Sequence, residues 1–314
     1  MSSLRVAVVG VGYLGQFHAE KYAALPDAEL VAVCDLDATR GREVADLLGC
    51  DFVSDYRDLA AGIDAVTIAA DTSVHFELAN FFLRRDVHVL VEKPMTRTSK
   101  EAAELTQLAA QRGLKLQVGH VERFNPALLS ARENLDAVSF IECHRLAPFK
   151  ARGVDVNVVL DLMIHDLDVI LSLVDSEPAR VSGVGISIVT DTVDIANARI
   201  EFGNDAIANV TASRVSTKAE RKFRVFQKKQ YVSIDFGHGE VQRVTRQDEW
   251  QGAGPPLVED RWNLDKGDAL LAEVRAFVTA VREDQACLVT GRDGQLALEL
   301  AEAIMADIER RSHF

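Results

Sequence analysis

Cysteine is scarce and scattered. Its four copies, Cys34, Cys50, Cys143 and Cys287, show no C-x-x-C spacing, which argues against a disulfide framework and a cysteine-built zinc site. Long apolar runs are missing too. None reaches the roughly 18 residues of a membrane span, and the start MSSLRVAVVG has neither a signal peptide's apolar region nor a small-residue cleavage site. A cytoplasmic protein without a membrane segment is expected. Positive charge is in deficit: 35 Lys and Arg against 48 Asp and Glu leave a formal net charge of -13. Such a surface repels the nucleic-acid backbone, so no DNA or RNA partner is expected, and a phosphate-bearing ligand would need a locally basic pocket. Repeats and low-complexity segments are absent. With 48% hydrophobic and 26% charged residues the chain is an ordinary globular protein, and 314 residues suggest two domains at roughly 150 residues each.

Residues 4 to 120 alternate Val/Ala/Ile-rich runs with helical stretches. LRVAVVG, ELVAVCD, AVTIAA, HVLVEKP and LKLQVGH are strand candidates, and the alternation predicts an α/β unit, a doubly wound parallel sheet covered by helices. From about residue 137 the pattern changes to longer period-two strands: FIECHRL, RVSGVGISIV, IANARIEF, AIANVTAS, KFRVFQ and YVSIDF. Turn signals at 203–205 (GND) and 237–240 (GHGE) predict an open, largely antiparallel sheet in an α+β unit. Residues 158–174 read as the one helix ahead of that sheet, and 251–256 (QGAGPP) as a loop. Leu270, Val274, Phe277, Val278 and Val281 recur at helical spacing, as do Leu300, Ile304 and Ile308. The expected domains are 1–120 and 121–314.

In VAVVGVGYLGQFH, Gly10, Gly12 and Gly15 follow a buried strand and open a helix, and Asp35 closes the next strand. This G-x-G-x-x-G arrangement uses one glycine for the turn, one for backbone approach to a pyrophosphate and one for helix packing. The phosphates would lie on the helix N-terminus. A tight turn in some other α/β protein is the plainer reading, but strand, helix and distal acid together predict a Rossmann dinucleotide domain. Asp35 would accept ribose hydroxyls and repel a 2'-phosphate, which favours NAD; Arg40 and Arg42 keep NADP open.

VLVEKPM sets Glu92, Lys93 and Pro94 at the C-terminal end of an apolar strand, the edge at which such sheets bind ligands. Proline keeps Lys93 out of the helical region, so its ammonium can be aimed from an extended backbone. Alone, the lysine would be read as solvated. DLMIHDLD, residues 161–168, puts Asp161, His165, Asp166 and Asp168 into an apolar run. On a helix Asp161 and His165 face the same way, with Asp168 one turn on, while Asp166 lies about 100° round and reads as structural. Ionisable groups on that face need either partners or a cleft. Beside a dinucleotide domain and the lysine, catalysis is the better reading: His165 as general base for a hydroxyl proton, Asp161 orienting it, and Lys93 stabilising the developing alkoxide.

These motifs, with VGHVERFNP at 118–126, resemble in order and over nearly the whole chain the family of glucose-fructose oxidoreductase, inositol dehydrogenase and MocA proteins. The resemblance implies a Rossmann domain followed by an open α+β sheet domain, a homodimer or homotetramer built through the sheet's outer face, and a metal-free reaction. It also implies a cis peptide at Lys93–Pro94 and cofactor contacts at Gly10, Gly12, Tyr13, Leu14, Gly15, Asp35, Arg40, Ala70, Thr72, His75, Glu92, Lys93 and Pro94. Relatives differ on whether the lysine or the histidine takes the proton. AADTSVH departs from the family in carrying Asp71 where many relatives have proline, and Thr72 and Ser73 read equally as helix caps. Lys93, Asp161 and His165, with Arg123, Asn125, Arg145, Lys150 and Arg152, are the expected substrate contacts, although each of the last five reads nearly as well as solvated surface. Arg214, Lys218, Arg221, Lys222 and Arg224 form either a wet strand face or a phosphate-binding wall. VGHVERFNP, HRLAPFKARGVDV and DLMIHDLD look closest to the UDP-N-acetylglucosamine 3-dehydrogenase branch, which implies a nucleotide-sugar substrate, a sugar aminotransferase as functional partner and a place in lipid A synthesis. Oxidation of a free cyclitol or hexose, or a non-catalytic NAD(H) sensor on the same fold, are the alternatives.

Overall fold

The computed structural model describes residues 3–59, 61–150, 156–249, 254–264 and 267–311. The chain forms two compact units, Met1–Val121 with Asp268–Leu296, and Glu122–Gly267 with Ala297–Phe314.

In the first unit β1 (Leu4–Val9), α1 (Tyr13–Ala23), β2 (Ala28–Cys34), α2 (Ala38–Leu48), β3 (Asp51–Val53), β4 (Ala65–Ile68), α3 (Thr72–Leu83), β5 (His88–Glu92), α4 (Ser99–Arg112) and β6 (Leu116–Gly119) follow one another. The six strands form one parallel sheet in the order β3-β2-β1-β4-β5-β6. Its central strands are covered on both faces, which is why Val6, Val8, Ile68, Val89, Leu90 and Val91 are all fully buried and the sequence shows continuous apolar runs. Helix ends are set by local chemistry. Asp37 caps α2 by accepting from Thr39 and Arg40 amides; Thr98 and Glu101 form a capping box at α4, which Gly113 ends at φ +66°.

The second unit contains α5 (Pro126–Arg132), β7 (Val138–Leu146), a π-helical turn (Val159–Met163), α6 (Ile164–Leu173), and β8 (Pro178–Ile186) to β14 through β9 (Ile195–Phe202), β10 (Ile207–Ser213), β11 (Glu220–Gln227), β12 (Gln230–Asp235), β13 (Glu240–Arg246) and β14 itself (Leu257–Asn263). Their order is β14-β13-β12-β11-β7-β10-β9-β8; every neighbouring pair is antiparallel except β7 with β10. Strand alternation sends Ile141, Cys143, Ala198, Ile200, Val210, Phe223 and Val232 into one core with Val159, Met163, Leu167 and Ile170.

Two expectations need correction. The run 158–174 does not precede the sheet: β7 comes first, because FIECHRL supplies a central strand, and the run itself is a π-helical turn followed by α6. The single break after residue 120 differs from the observed units, because α7 (Ala269–Arg282) returns to the first, where Val274, Phe277 and Val278 share a core with Val6, Val8 and Tyr22. The last helix, α8, spans Gly291–Arg311. No described helix is long and apolar enough to cross a membrane.

Candidate active site

The loop between β1 and α1 is shaped by close backbone approach. Gly10 has φ +82°, and a Cβ there would stand 2.7 Å from the Ala70 backbone; a Cβ on Gly15 would stand 1.7 Å from the Gly10 carbonyl oxygen. Gly12, the N-cap of α1, has nothing within 4 Å of where a Cβ would lie. An exposed helix N-terminus without a side-chain cap bond is the cradle a pyrophosphate requires. Tyr13 and Leu14 are exposed beside it. Asp35, at the end of β2, accepts from the Val11 amide at 2.7 Å and the Asp37 amide at 2.9 Å. Arg40 donates through Nε to the Val11 carbonyl at 3.0 Å and also bonds Gln16, so it braces the loop. These residues fit the expected dinucleotide.

At the end of β5 the Lys93–Pro94 peptide is cis and Lys93 is half-buried. Glu92 is buried; one carboxylate oxygen meets His18 Nε2 at 2.8 Å and the other accepts from the Lys93 amide at 3.1 Å. Burial works to raise the Glu92 carboxyl, but the hydrogen bond and charge of His18, with the charge of Lys93, outweigh it and hold it below its ordinary value. Glu273 of α7 is fully buried, and ligand-type atoms of His18, Glu92 and Glu273 lie within 4.8 Å of one another. His75 is also buried: Nδ1 lies 2.9 Å from the Pro94 carbonyl oxygen and Nε2 2.9 Å from that of Ala70. Burial pulls the His75 pKa below its ordinary value against the pull of those two carbonyls. Glu92 and His75, both expected at the cofactor, are thus bonded to protein groups. Thr72 does not cap α3; Asp71 occupies the N-cap, without a side-chain cap bond.

In the second unit Asp161 lies in the π-helical turn and His165 in the first turn of α6; both are half-buried. Asn157 starts the turn by accepting from the Val159 and Leu160 amides at 3.0 and 3.1 Å. Such turns are rare and frequent at functional sites. Asp168, expected on the same face, is instead 1% exposed and pairs with Arg123 at 3.3 Å. Asp166 is structural as expected: Arg145 of β7 donates to both its oxygens at 2.9 Å and to Glu122 at 3.0 Å. Burial raises the Asp166 carboxyl even against this guanidinium.

The expected substrate contacts therefore separate. Arg145 and Arg123 are buried in ion pairs with acids that sequence spacing does not connect to them, and Asn125 caps α5 by accepting from the Ala127 amide at 3.0 Å. Lys150 is exposed, and Arg152 lies outside the described residues. Of the basic series, Arg214 is buried 3.8 Å from Asp194, Arg224 pairs with Glu142 at 2.8 Å, and Arg221 is 3.9 Å from Glu122; Lys218 is exposed and Lys222 half-buried. Sequence reasoning missed His18, Glu122 and Glu273. For His18 the signal was present, a histidine three residues after Gly15 on a glycine-loop helix.

Comparison with known proteins agrees with this architecture. Residues 4–120 match the family described as "Oxidoreductase family, NAD-binding Rossmann fold", and residues 142–233 match the GFO/IDH/MocA C-terminal domain. The chain is 38% identical to UDP-N-acetylglucosamine 3-dehydrogenase of Acidithiobacillus ferrooxidans over 98% of both chains. The chain belongs to the Gfo/Idh/MocA oxidoreductase family. It is thus an NAD-dependent oxidoreductase, with the parallel and the largely antiparallel sheets expected of that family. Another family member, scyllo-inositol 2-dehydrogenase (NAD(+)) of Bacillus subtilis, is 30% identical over 96% of this chain and 92% of its own length. A solved structure of the Acidithiobacillus enzyme superposes with TM-score 0.92 at 38% identity, covering 99% of each chain. Scyllo-inositol dehydrogenase from Lactobacillus casei, solved with NAD(H) and scyllo-inositol, has the same fold at TM-score 0.83 and 21% identity, covering 99% of this chain and 98% of its own.

Cofactor choice is open to direct measurement. A 2'-phosphate near Asp35 would set two negative groups against each other, and a penalty of about 1.4 kcal/mol is already tenfold in affinity. NADP is therefore expected to bind at least about tenfold more weakly than NAD in a fluorescence titration. Equal or tighter NADP binding would contradict the role given to Asp35.

Proposed function

We propose that the protein oxidises the 3-hydroxyl of UDP-N-acetylglucosamine to a ketone with NAD. The observation that carries this reading is the full-length likeness to an enzyme of that name, 38% identical over 98% of both chains. Presence of Lys93, Asp161 and His165 supports it. NAD, when bound, supplies the hydride acceptor. His165 takes the hydroxyl proton, Asp161 orients the imidazole and stabilises it once charged, and Lys93 supplies a positive charge and N–H donors where alkoxide character develops. The proton acceptor is His165 in this assignment because imidazole has the side-chain pKa nearest neutrality. Lys150 and Arg152, from the segment after β7, are proposed to meet the substrate's charged part. A 3-keto nucleotide sugar is a substrate for transamination, so an aminotransferase is the proposed consumer of the product, in amino-sugar and lipid A synthesis. The setting proposed is a cytoplasmic homo-oligomer.

The test is turnover. With NAD in excess and NADH absorbance as readout, UDP-N-acetylglucosamine is expected to be oxidised with kcat/KM at least about 100-fold above that for free N-acetylglucosamine. Charge-assisted contacts to a diphosphate are worth several kcal/mol. Comparable rates for the two would remove the nucleotide from the reading. Faster oxidation of scyllo- or myo-inositol would favour the cyclitol alternative, which the likeness to the Bacillus subtilis enzyme supports. NADH binding without turnover of any sugar would point to a sensor.

A further inference from the structure

We propose that His18 and His75 are positioning residues for Lys93, holding its backbone from both sides and tying it to the glycine-rich loop; this rests on the reading that Lys93 acts in the oxidation. A lysine ammonium rides on a flexible four-carbon stem, so its placement is only as good as the backbone that carries it. On the N-terminal side, the Lys93 amide donates to Glu92 at 3.1 Å. That carboxylate is kept from swinging away because its other oxygen is bonded to His18 at 2.8 Å. It also lies over Gly119, its partner on β6, where a Cβ would come within 2.9 Å of the carboxylate. On the C-terminal side, the Pro94 carbonyl meets His75 Nδ1 at 2.9 Å, and the opposite ring nitrogen meets the Ala70 carbonyl at 2.9 Å.

Both tethers end at the cofactor loop. His18 belongs to α1, the helix that starts at Gly12, and the Ala70 backbone packs against Gly10 so closely that no Cβ would fit between them. An imidazole suits this task because its rigid ring carries an N–H donor from a helix to an acceptor on the neighbouring segment: His18 Nε2 reaches Glu92, and His75, with a carbonyl oxygen at each nitrogen, donates to one of the two at a time when neutral. A merely space-filling role would be served by leucine, without the cost of burying polar nitrogens. Ligand-type atoms of Glu273 lie within 4.8 Å of His18 and Glu92, so residues 268–296 contribute to the same unit of contacts.

The experiment compares His18→Leu, His75→Leu, His18→Gln and Lys93→Met in the full chain, with NAD and UDP-N-acetylglucosamine, and follows amide hydrogen exchange in the NAD-saturated protein. Each leucine variant is expected to lower kcat about 10- to 100-fold, while KM and NAD affinity stay within about threefold. Amide exchange around Lys93 should speed up. His18→Gln, whose side-chain N–H can still donate to Glu92, should recover most of the loss. Added to Lys93→Met, His18→Leu should cost less than about threefold more. Unchanged exchange at Lys93 in both leucine variants overturns the proposal without any substrate. So does a loss of kcat that tracks NAD affinity and thermal stability and is not rescued by glutamine. An inactive Lys93→Met beside fully active histidine variants sinks this inference alone, whereas a fully active Lys93→Met sinks the role of Lys93 and the inference with it.

Discussion

Lys93→Ala and His165→Ala are each expected to lower kcat by about 100- to 10,000-fold, about 3 to 5 kcal/mol of transition-state stabilisation, with NAD affinity nearly unchanged in the histidine variant. The loop proposed to hold the pyrophosphate is shaped by Gly10, Gly12 and Gly15, whereas His165 belongs to α6 of the second unit. The two losses should not multiply if, as proposed, His165 accepts the proton and Lys93 stabilises the resulting alkoxide, because both then act on the same event. Asp161→Asn should lower kcat by less while the protein stays folded, since an amide cannot stabilise an imidazolium as a carboxylate does. Steady-state kinetics with thermal melting decides between this and a structural patch. A His165→Ala protein that kept near-normal kcat but melted far earlier would return DLMIHDLD to a structural role and leave Lys93 to carry the proton alone.

Arg145→Met is expected to be the most damaging single change to stability. It removes the donor to both oxygens of Asp166 and to Glu122, leaving two buried carboxylates, of which Asp166 is 2% and Glu122 5% exposed. Breaking a buried ion pair from one side costs about 3 to 5 kcal/mol. For a unit of this size that is roughly 6 to 20 °C in melting midpoint. Because Asp166 follows His165, activity should fall as well, even below the melting range. Neutralising the stranded acids as Asp166→Asn and Glu122→Gln should restore part of the stability, since the penalty comes from uncompensated charge more than from lost contacts. A melting point within about 2 °C of the parent would mean that solvent or Arg221, 3.9 Å from Glu122, takes over the neutralisation.

Much of this protein is determined by its sequence alone, and the reason is that the relevant forces are local. Alternating apolar runs specify the parallel sheet, period-two strands specify the second sheet, and glycines at 10, 12 and 15 are required wherever backbone must approach backbone or phosphate. The lysine before proline and the histidine four residues after an aspartate are likewise visible as chemistry out of place in apolar surroundings. Tertiary structure decided which charges have partners. Arg145 reads as a substrate contact until β7 is seen to present it to Asp166 and Glu122; Arg123 and Asp168, 45 residues apart, cancel in the same way. His75 and Glu92 stand beside motif residues in the sequence, and only the fold shows which protein groups each of them is bonded to. The return of residues 268–296 to the first unit is decided there too, because the apolar stripe of α7 shows that it must be covered but not by which core. Spacing along the chain carries period and turn chemistry, while pairing between segments depends on distances that only the folded chain sets.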